Sequence, residues 1–247
     1  MLTIAIFGPT GVGKTGVALE LADLLRERGE DPVAVSADAL QVYEGLQALT
    51  GAVTATEQAR LEHRLVGFVP LTQPFSVGQY MPVAHAEIDA ALEAGRRPIV
   101  LGGTGLYLRA ALADLSLEKV PPGTEGSELW SPDTRHPTLI LGLTMEREEL
   151  YRRIDARVDA IVAAGAEEEV RRAQELGPSH TARKALGFRE LLEGDVERMK
   201  RRSRNYARRQ MTWMRKLPNV VTIDVTDRSE PATAEKIGRI VGEREAS

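Results

Sequence analysis

The residues GPTGVGKTG (8 to 16) follow the apolar run LTIAIF (2 to 7) and precede a segment of helical periodicity. Gly8, Gly13, Lys14 and Thr15 fit G-x-x-x-x-G-K-[ST] in the strand–loop–helix setting that gives the motif its meaning. Backbone N–H groups of such a loop turn toward phosphate oxygens, and the helix that follows adds about half a positive charge at its N-terminus. Gly8, Pro9, Thr10, Gly11, Val12, Gly13, Lys14 and Thr15 are therefore the candidate phosphate-binding residues. Lys14 would reach the terminal phosphate, and the Thr15 hydroxyl would be a ligand for Mg²⁺. The motif selects phosphate over a plain glycine turn, but ATP is only its most obvious ligand.

The loop also constrains the fold, because its strand and helix must belong to a βαβ unit. Four further β-rich runs occur at PVAVSA (32 to 37), RPIVLGG (97 to 103), TLILGLT (138 to 144) and NVVTIDV (219 to 225), most of them separated by helical segments. This alternation predicts an α/β fold with a P-loop NTPase-like parallel sheet flanked by helices. Val17, Ala18, Leu21, Leu24 and Leu25 form the stripe of a helix ending at Gly29, and Tyr80 to Ala94 reads as another helix. Periodicity lapses over 116 to 137, where Pro, Gly, Ser and Thr cluster, so 113 to 137 reads as a loop or a shortened insert. Charged helices follow the run at 138 to 144, and the last twenty residues read as an amphipathic closing helix. The division expected is a core of 1–145 and 218–247 with a helical segment over 146–217, the two forming one compact unit.

The 247 residues suit one α/β domain, with 43% hydrophobic and 28% charged residues near the globular norm. No stretch approaches the roughly 20 apolar residues of a membrane span. The N-terminus lacks a basic signal-type region, so a cytoplasmic protein is expected, and nothing requires more than a monomer. The absence of cysteine excludes disulfides and thiol chemistry, and the four histidines have no metal-ligand spacing. The net charge of −4 conceals nine cations and no anion between Arg198 and Lys216, which leaves −13 over the rest of the chain. Such a basic segment on an acidic body suits a polyanionic partner. On a helix over 196 to 217, Met199, Tyr206, Trp213 and Leu217 would share an inner stripe, with Tyr206 and Trp213 in the core. Arg201, Arg204, Arg208 and Arg215 would lie on another face.

Two further segments belong at carboxyl ends of strands, where open parallel sheets bind ligands. In SADALQVY (36 to 43), Asp38 is either a base or metal ligand in the cleft or the cap of a following helix. In GGTGLYL (102 to 108), Thr104 is either a cap or a hydroxyl facing substrate.

GPTGVGKT, SADALQVY and GGTGLYL, in this order and at these separations, resemble the tRNA dimethylallyltransferase (tRNA isopentenyltransferase) family. LTMEREELYRRIDARVDAIVAAG, ARKALGFRELLEGD and RRSRNYARRQMTWMRKLPNV resemble its C-terminal half, so the likeness runs from residue 4 to about 225. The resemblance implies transfer of a dimethylallyl group from dimethylallyl diphosphate to N6 of an adenosine beside the anticodon. It implies Asp38 as the base toward N6, Thr104 as a hydroxyl near that amine, and Lys14, Thr15 and the loop amides as the diphosphate site, with Mg²⁺ at Thr15. Arg157 aligns best with an arginine that assists the diphosphate, although Arg152 and Arg153 lie one turn away. The tRNA anticodon stem-loop is the implied partner of Asp38, Ala39, Leu40, Gln41, Thr104, Arg201, Arg204 and Arg208, with the target base flipped into the pocket.

The chain departs from the family pattern in two places. After GGTGLY the family carries a long helical insert that grips the anticodon stem-loop, whereas here only the stretch from about 113 to 137 stands. Where the family has Gly-Thr-Ala-Lys-Pro, this chain has Leu49-Thr50-Gly51-Ala52-Val53 and no lysine. The missing insert leaves open an adenylate isopentenyltransferase acting on free AMP, ADP or ATP. The loop alone leaves open a P-loop small-molecule kinase, and the fold alone a non-catalytic RNA-binding module.

Overall fold

The computed structural model describes residues 1–116 and 128–246. The Pro/Gly-rich stretch expected to be a loop or shortened insert lies partly outside them. In chain order the elements are β1 (Thr3–Phe7), α1 (Lys14–Glu27), β2 (Pro32–Ser36), α2 (Gln47–Thr50), α3 (Ala55–Arg60), β3 (His63–Arg64), α4 (Val77–Glu93), β4 (Arg97–Gly102), α5 (Gly105–Leu112), β5 (Thr138–Thr144), α6 (Arg147–Ala163), α7 (Ala166–Glu175), α8 (Phe188–Leu192), α9 (Val196–Met214), β6 (Val220–Asp224) and α10 (Glu230–Glu245).

The six strands form one parallel sheet in the order β3-β2-β4-β1-β5-β6. Strands buried on both faces need continuous apolar sequence, and β1, β2 and β4 are buried at every position. The five runs legible in the sequence are all strands. The two-residue β3 is additional: it pairs Ala34 with His63 and is too short to leave a periodic signal.

Helices cover both faces. One apolar cluster gathers Leu21 and Leu25 of α1, Ile154 of α6 and Ile237 and Val241 of α10 over one side of β1 and β5. A second gathers Tyr80 and Ile88 of α4, Leu108 of α5 and Met214 of α9 over the other. A third lies beyond the sheet, where Val42, Tyr43, Leu46 and Leu49 pack against Val158, Val170, Phe188 and Met199. The charged segments over 145 to 175 are helices, but TARKALGFRELLEGD is two short pieces, a 3-10 turn (Ala182–Lys184) and α8, separated by Gly187 at φ 96°.

The strand order positions the site. Strand β4 lies between β2 and β1, so the carboxyl ends of β2, β4, β1 and β5 are neighbours, and the segments that follow them open onto one edge.

Candidate active site

The loop after β1 enters α1 through Gly13, which occupies the N-cap at φ 95°, ψ 22°, a left-handed conformation that a side chain would strain. The Gly11 and Gly13 amides donate to no acceptor among the described residues, and Lys14 and Thr15 open the helix, where N–H groups lack intrahelical partners. Lys14 folds back over the loop, its Nζ donating to the carbonyls of Gly8 (2.9 Å) and Pro9 (3.0 Å). Burial, reinforced by Arg157, pulls the ammonium down to about 8, against a smaller opposing effect of Asp38.

A cleft of about 410 Å³ opens over this loop, lined by Thr10, Gly11, Gly13, Lys14 and Thr15 and, across from them, by Asp38, Leu40 and Gln41. Gly8 and Pro9 contribute carbonyls to Lys14, while Val12 is buried in the core under the loop. Asp38 lines the cleft but does not cap a helix. Its Oδ1 accepts from the Leu40 N–H (2.9 Å) and Gln41 N–H (3.3 Å), which pins a turn and not a helix. Its Oδ2 makes no hydrogen bond among the described residues, so a lone pair remains beside the cleft. Ala39 packs against the second apolar cluster and does not line the cleft.

Thr104 sits at the N-cap of α5, yet its side chain does not cap. Its Oγ1 instead lies 3.1 Å from the Tyr206 hydroxyl, and of the two it is Tyr206 that lines the cleft. The expectation of Tyr206 in the core is thus corrected: it is half-buried in the cleft wall, and burial pushes its phenol up to about 12. The inner stripe of α9 is Met199, Ser203, Ala207, Gln210 and Met214. The two polar residues of this stripe are buried with their hydrogen bonds satisfied: Ser203 Oγ donates to Met199 O (2.8 Å), and Gln210 bonds across the cleft wall. Trp213, half-buried, packs its ring against Trp130 at 4.9 Å between centroids.

The three candidate arginines of α6 separate by environment. Arg152 is 69% exposed and bound to Glu149 (2.7 Å); Arg153 lines the cleft but is bound to the same carboxylate (2.8 Å). Arg157 reaches in beneath Thr50 and Gly51, donating to their carbonyls at 3.2 and 3.3 Å, and burial pulls its guanidinium down despite Asp38 nearby. Lys14, Arg157 and Asp38 thus form one electrostatic group.

The basic helix proves less bare than its sequence. Arg204 holds both oxygens of Asp155 at 2.6 Å, Lys200 reaches Asp159 at 2.7 Å, Arg202 binds Glu190, and Arg198 binds Glu193. The anions that 198 to 216 lacks are supplied by α6 and by α8 with its following turn, so the segment is not a bare row of cations, and Arg204 lies off the open face where it was expected. Arg201, Asn205, Arg208, Thr212 and Arg215 form an exposed stripe at helical spacing. Among these Arg208 touches Asn205, and Arg201 and Arg215 make no ion pair among the described residues.

Thr15 lines the cleft, and among the described residues its hydroxyl makes no hydrogen bond and no cluster of three or more His, Asp or Glu could hold a metal ion. That donor set fits Mg²⁺ carried chiefly by substrate oxygens and water, the usual way this ion is bound beside phosphates. None of the described helices is long and apolar enough to cross a membrane.

A glycine-rich loop, a carboxylate and a half-buried lysine–arginine pair at the carboxyl edge of a parallel sheet define a P-loop-like α/β protein. The chain belongs to the IPP transferase family, whose model matches residues 41–131 and 118–217. It is 31% identical to a tRNA dimethylallyltransferase of Geobacillus kaustophilus over 303 aligned positions, covering 96% of this chain and 95% of that one. It is 33% identical to a tRNA dimethylallyltransferase of Thermomicrobium roseum, covering 90% and 86%. The full-length tRNA isopentenylpyrophosphate transferase of Bacillus halodurans superimposes with a TM-score of 0.85 at 27% identity, covering 98% of this chain and 96% of that one. The alignment of 303 positions exceeds the 247 residues available, so the Geobacillus protein carries segments that this chain lacks.

Proposed function

We propose that this chain is a tRNA dimethylallyltransferase, moving the five-carbon group of dimethylallyl diphosphate to N6 of an adenosine next to the anticodon and releasing diphosphate. The observation that carries the reading is that Asp38, whose Oδ2 has no hydrogen-bond partner among the described residues, lines the cleft that also holds Lys14 and Arg157. A proton acceptor and a cation pair are what this displacement needs.

The N6 lone pair is delocalised into the adenine ring and attacks weakly. As it forms the bond to C1, the C1–O bond breaks with its electron pair going to the diphosphate, and the N6 proton passes to Asp38 Oδ2. Acceptance of that proton by a placed carboxylate contributes on the order of 10²- to 10⁴-fold in rate. The charge gathering on the leaving diphosphate meets the Gly11 and Gly13 amides, the N-terminus of α1, Lys14 and Arg157, and each such preorganised donor is worth roughly 3 kcal/mol in the transition state. Mg²⁺, held by the Thr15 hydroxyl and the diphosphate, would supply further charge neutralisation. Thr104 acts beside the acceptor through Tyr206, and Leu40 and Gln41 form the acceptor side of the cleft mouth, with Ala39 packed behind them. The exposed stripe of Arg201 and Arg208 would take phosphates of the anticodon stem-loop, with the core over 1–145 and 218–247 presenting the diphosphate site and 146–217 facing the RNA. Location in the cytoplasm, as a monomer, fits this role.

Prenylation of free adenylate is the second reading, favoured by the segments absent relative to the longer relatives. Incubation with labelled dimethylallyl diphosphate and Mg²⁺, offering unmodified tRNA or AMP, decides between them. Label is expected in tRNA; label in AMP alone would overturn the reading.

A further inference from the structure

Gln210 lies on α9, 107 residues from Gly103 and 200 from Thr10, yet its side chain joins the two. Its Oε1 accepts from the Thr10 N–H (2.9 Å) and its Nε2 donates to the Gly103 carbonyl (2.8 Å). An N–H on one side and a C=O on the other fix the orientation of the amide, and the residue is only 4% exposed. Gly103 permits the approach, since a β-carbon there would stand 2.2 Å from Nε2. One turn back on the same face, Tyr206 holds Thr104. Helix α9 therefore grips both the phosphate loop and the β4–α5 turn from inside the cleft while its opposite face carries the arginine stripe.

We propose that Gln210 is a positioning residue for the loop: by occupying the Thr10 N–H it sets the loop so that the remaining amides point into the cleft. This rests on the reading of residues 8 to 15 as the diphosphate site. Thr10 follows Pro9, which has no N–H, so after Pro9 the Gln210 bond holds the first backbone N–H of the loop. Without it, the span from Gly8 to Gly13 is held chiefly by Lys14 and by a long Val12 N–H to Pro9 contact of 3.4 Å. The Lys14 bonds are the ones a bound diphosphate would compete for, which leaves Gln210 as the anchor independent of the ligand.

The test uses Gln210→Met, close in volume but without either bond, and Gln210→Glu, which keeps an acceptor for Thr10 and loses the donor to Gly103. Binding of dimethylallyl diphosphate with Mg²⁺ is measured first, then KM for it and for tRNA. For Gln210→Met, Kd and KM for dimethylallyl diphosphate should rise about tenfold while KM for tRNA stays within twofold. Amide hydrogen exchange should accelerate in residues 8 to 15 and not in the peptides of α1 or β4. Gln210→Glu should retain slow exchange at Thr10 even if its added charge weakens diphosphate binding. Unchanged Kd and unchanged loop exchange in Gln210→Met would overturn the proposal, as would exchange that accelerates throughout, which marks a general packing role. If Lys14→Ala binds dimethylallyl diphosphate as tightly as the parent, the reading of the loop itself fails, and the exchange result then stands alone on the geometry of Gln210.

Discussion

The guanidinium of Arg157 rests on the backbone of Gly51, its Nη2 donating to the Gly51 carbonyl at 3.3 Å, where a β-carbon on Gly51 would stand 2.0 Å from that nitrogen. Gly51 also has φ 56°, so it provides both the bare surface and the turn. The Gly51 carbonyl accepts as well from Gln41 Nε2 at 3.4 Å, which joins the segment after Asp38 to the arginine of α6. The segment Leu49 to Val53 contains no lysine, and the cation at this wall of the cleft comes from α6.

Gly51→Ala should therefore act through Arg157. Strain at a positive φ costs about 1 kcal/mol of stability, visible in urea denaturation. Displacement of the guanidinium should raise KM for dimethylallyl diphosphate about tenfold. In a double-mutant cycle the substitution should add little to Arg157→Ala, because both remove the same contact. Full additivity would show that Gly51 acts elsewhere.

Asp38 divides its two oxygens between structure and chemistry, and Asp38→Asn separates them. The amide oxygen can still accept from Leu40 and Gln41, so the turn and the thermal unfolding midpoint should be preserved. The single-turnover rate of prenyl transfer should fall on the order of 10²- to 10³-fold with loss of the proton acceptor. Asp38→Ala, which also frees the turn, should lose both. A rate in Asp38→Asn within threefold of the parent would exclude Asp38 as the base.

How much of this was visible beforehand depends on the range of the interaction. The positions of Lys14, Thr15 and Asp38 at the cleft were legible because loops and strand ends are written in consecutive residues. Gln210 and Tyr206 left no such mark: their partners Thr10, Gly103 and Thr104 lie a hundred or more residues away, and a polar residue on a charged helix reads as surface. The same limit misplaced Arg204, whose counter-ion Asp155 lies on another helix, and left β3 unseen because two residues carry no period. Five strands and their parallel order of burial followed from apolar runs, whereas the break at Gly187 depends on how α8 docks against α9.

The pH dependence of substrate binding follows from Lys14. Burial holds the free enzyme's ammonium at about 8, below its ordinary 10.5, and a bound diphosphate must raise it again. Binding therefore takes up a proton above pH 8, and the affinity for dimethylallyl diphosphate should fall up to tenfold per pH unit between about 8 and 10. The substrate's own phosphates are ionised by then, with second pKa values near 6. For the free protein the sign is opposite: its folded state holds fewer protons than the unfolded chain between about 8 and 10.5, so Lys14 contributes a gain in stability as pH rises through that window. Calorimetry in buffers of different ionisation enthalpy reads the proton uptake directly. Lys14→Arg should abolish it, and uptake persisting in that variant would assign it to another group.

The exposed stripe of α9 and the paired arginines beside it should respond differently to salt. Each lost phosphate contact lowers the slope of log K against log salt concentration by roughly 0.7 to 0.9. Arg201→Ala and Arg208→Ala should each reduce the slope for tRNA by about that amount, leaving the unfolding midpoint and the Kd for dimethylallyl diphosphate unchanged. Arg204→Ala should instead leave Asp155 half-buried without the Nη1 that donates to both its oxygens at 2.6 Å, destabilising the α6–α9 contact with a smaller change in slope. Filter binding of tRNA between 50 and 200 mM salt, with denaturation curves for the three variants, distinguishes the two behaviours. If Arg204→Ala flattens the slope as much as Arg208→Ala while remaining stable, its ion pair with Asp155 opens to RNA and the paired face belongs to the binding surface too.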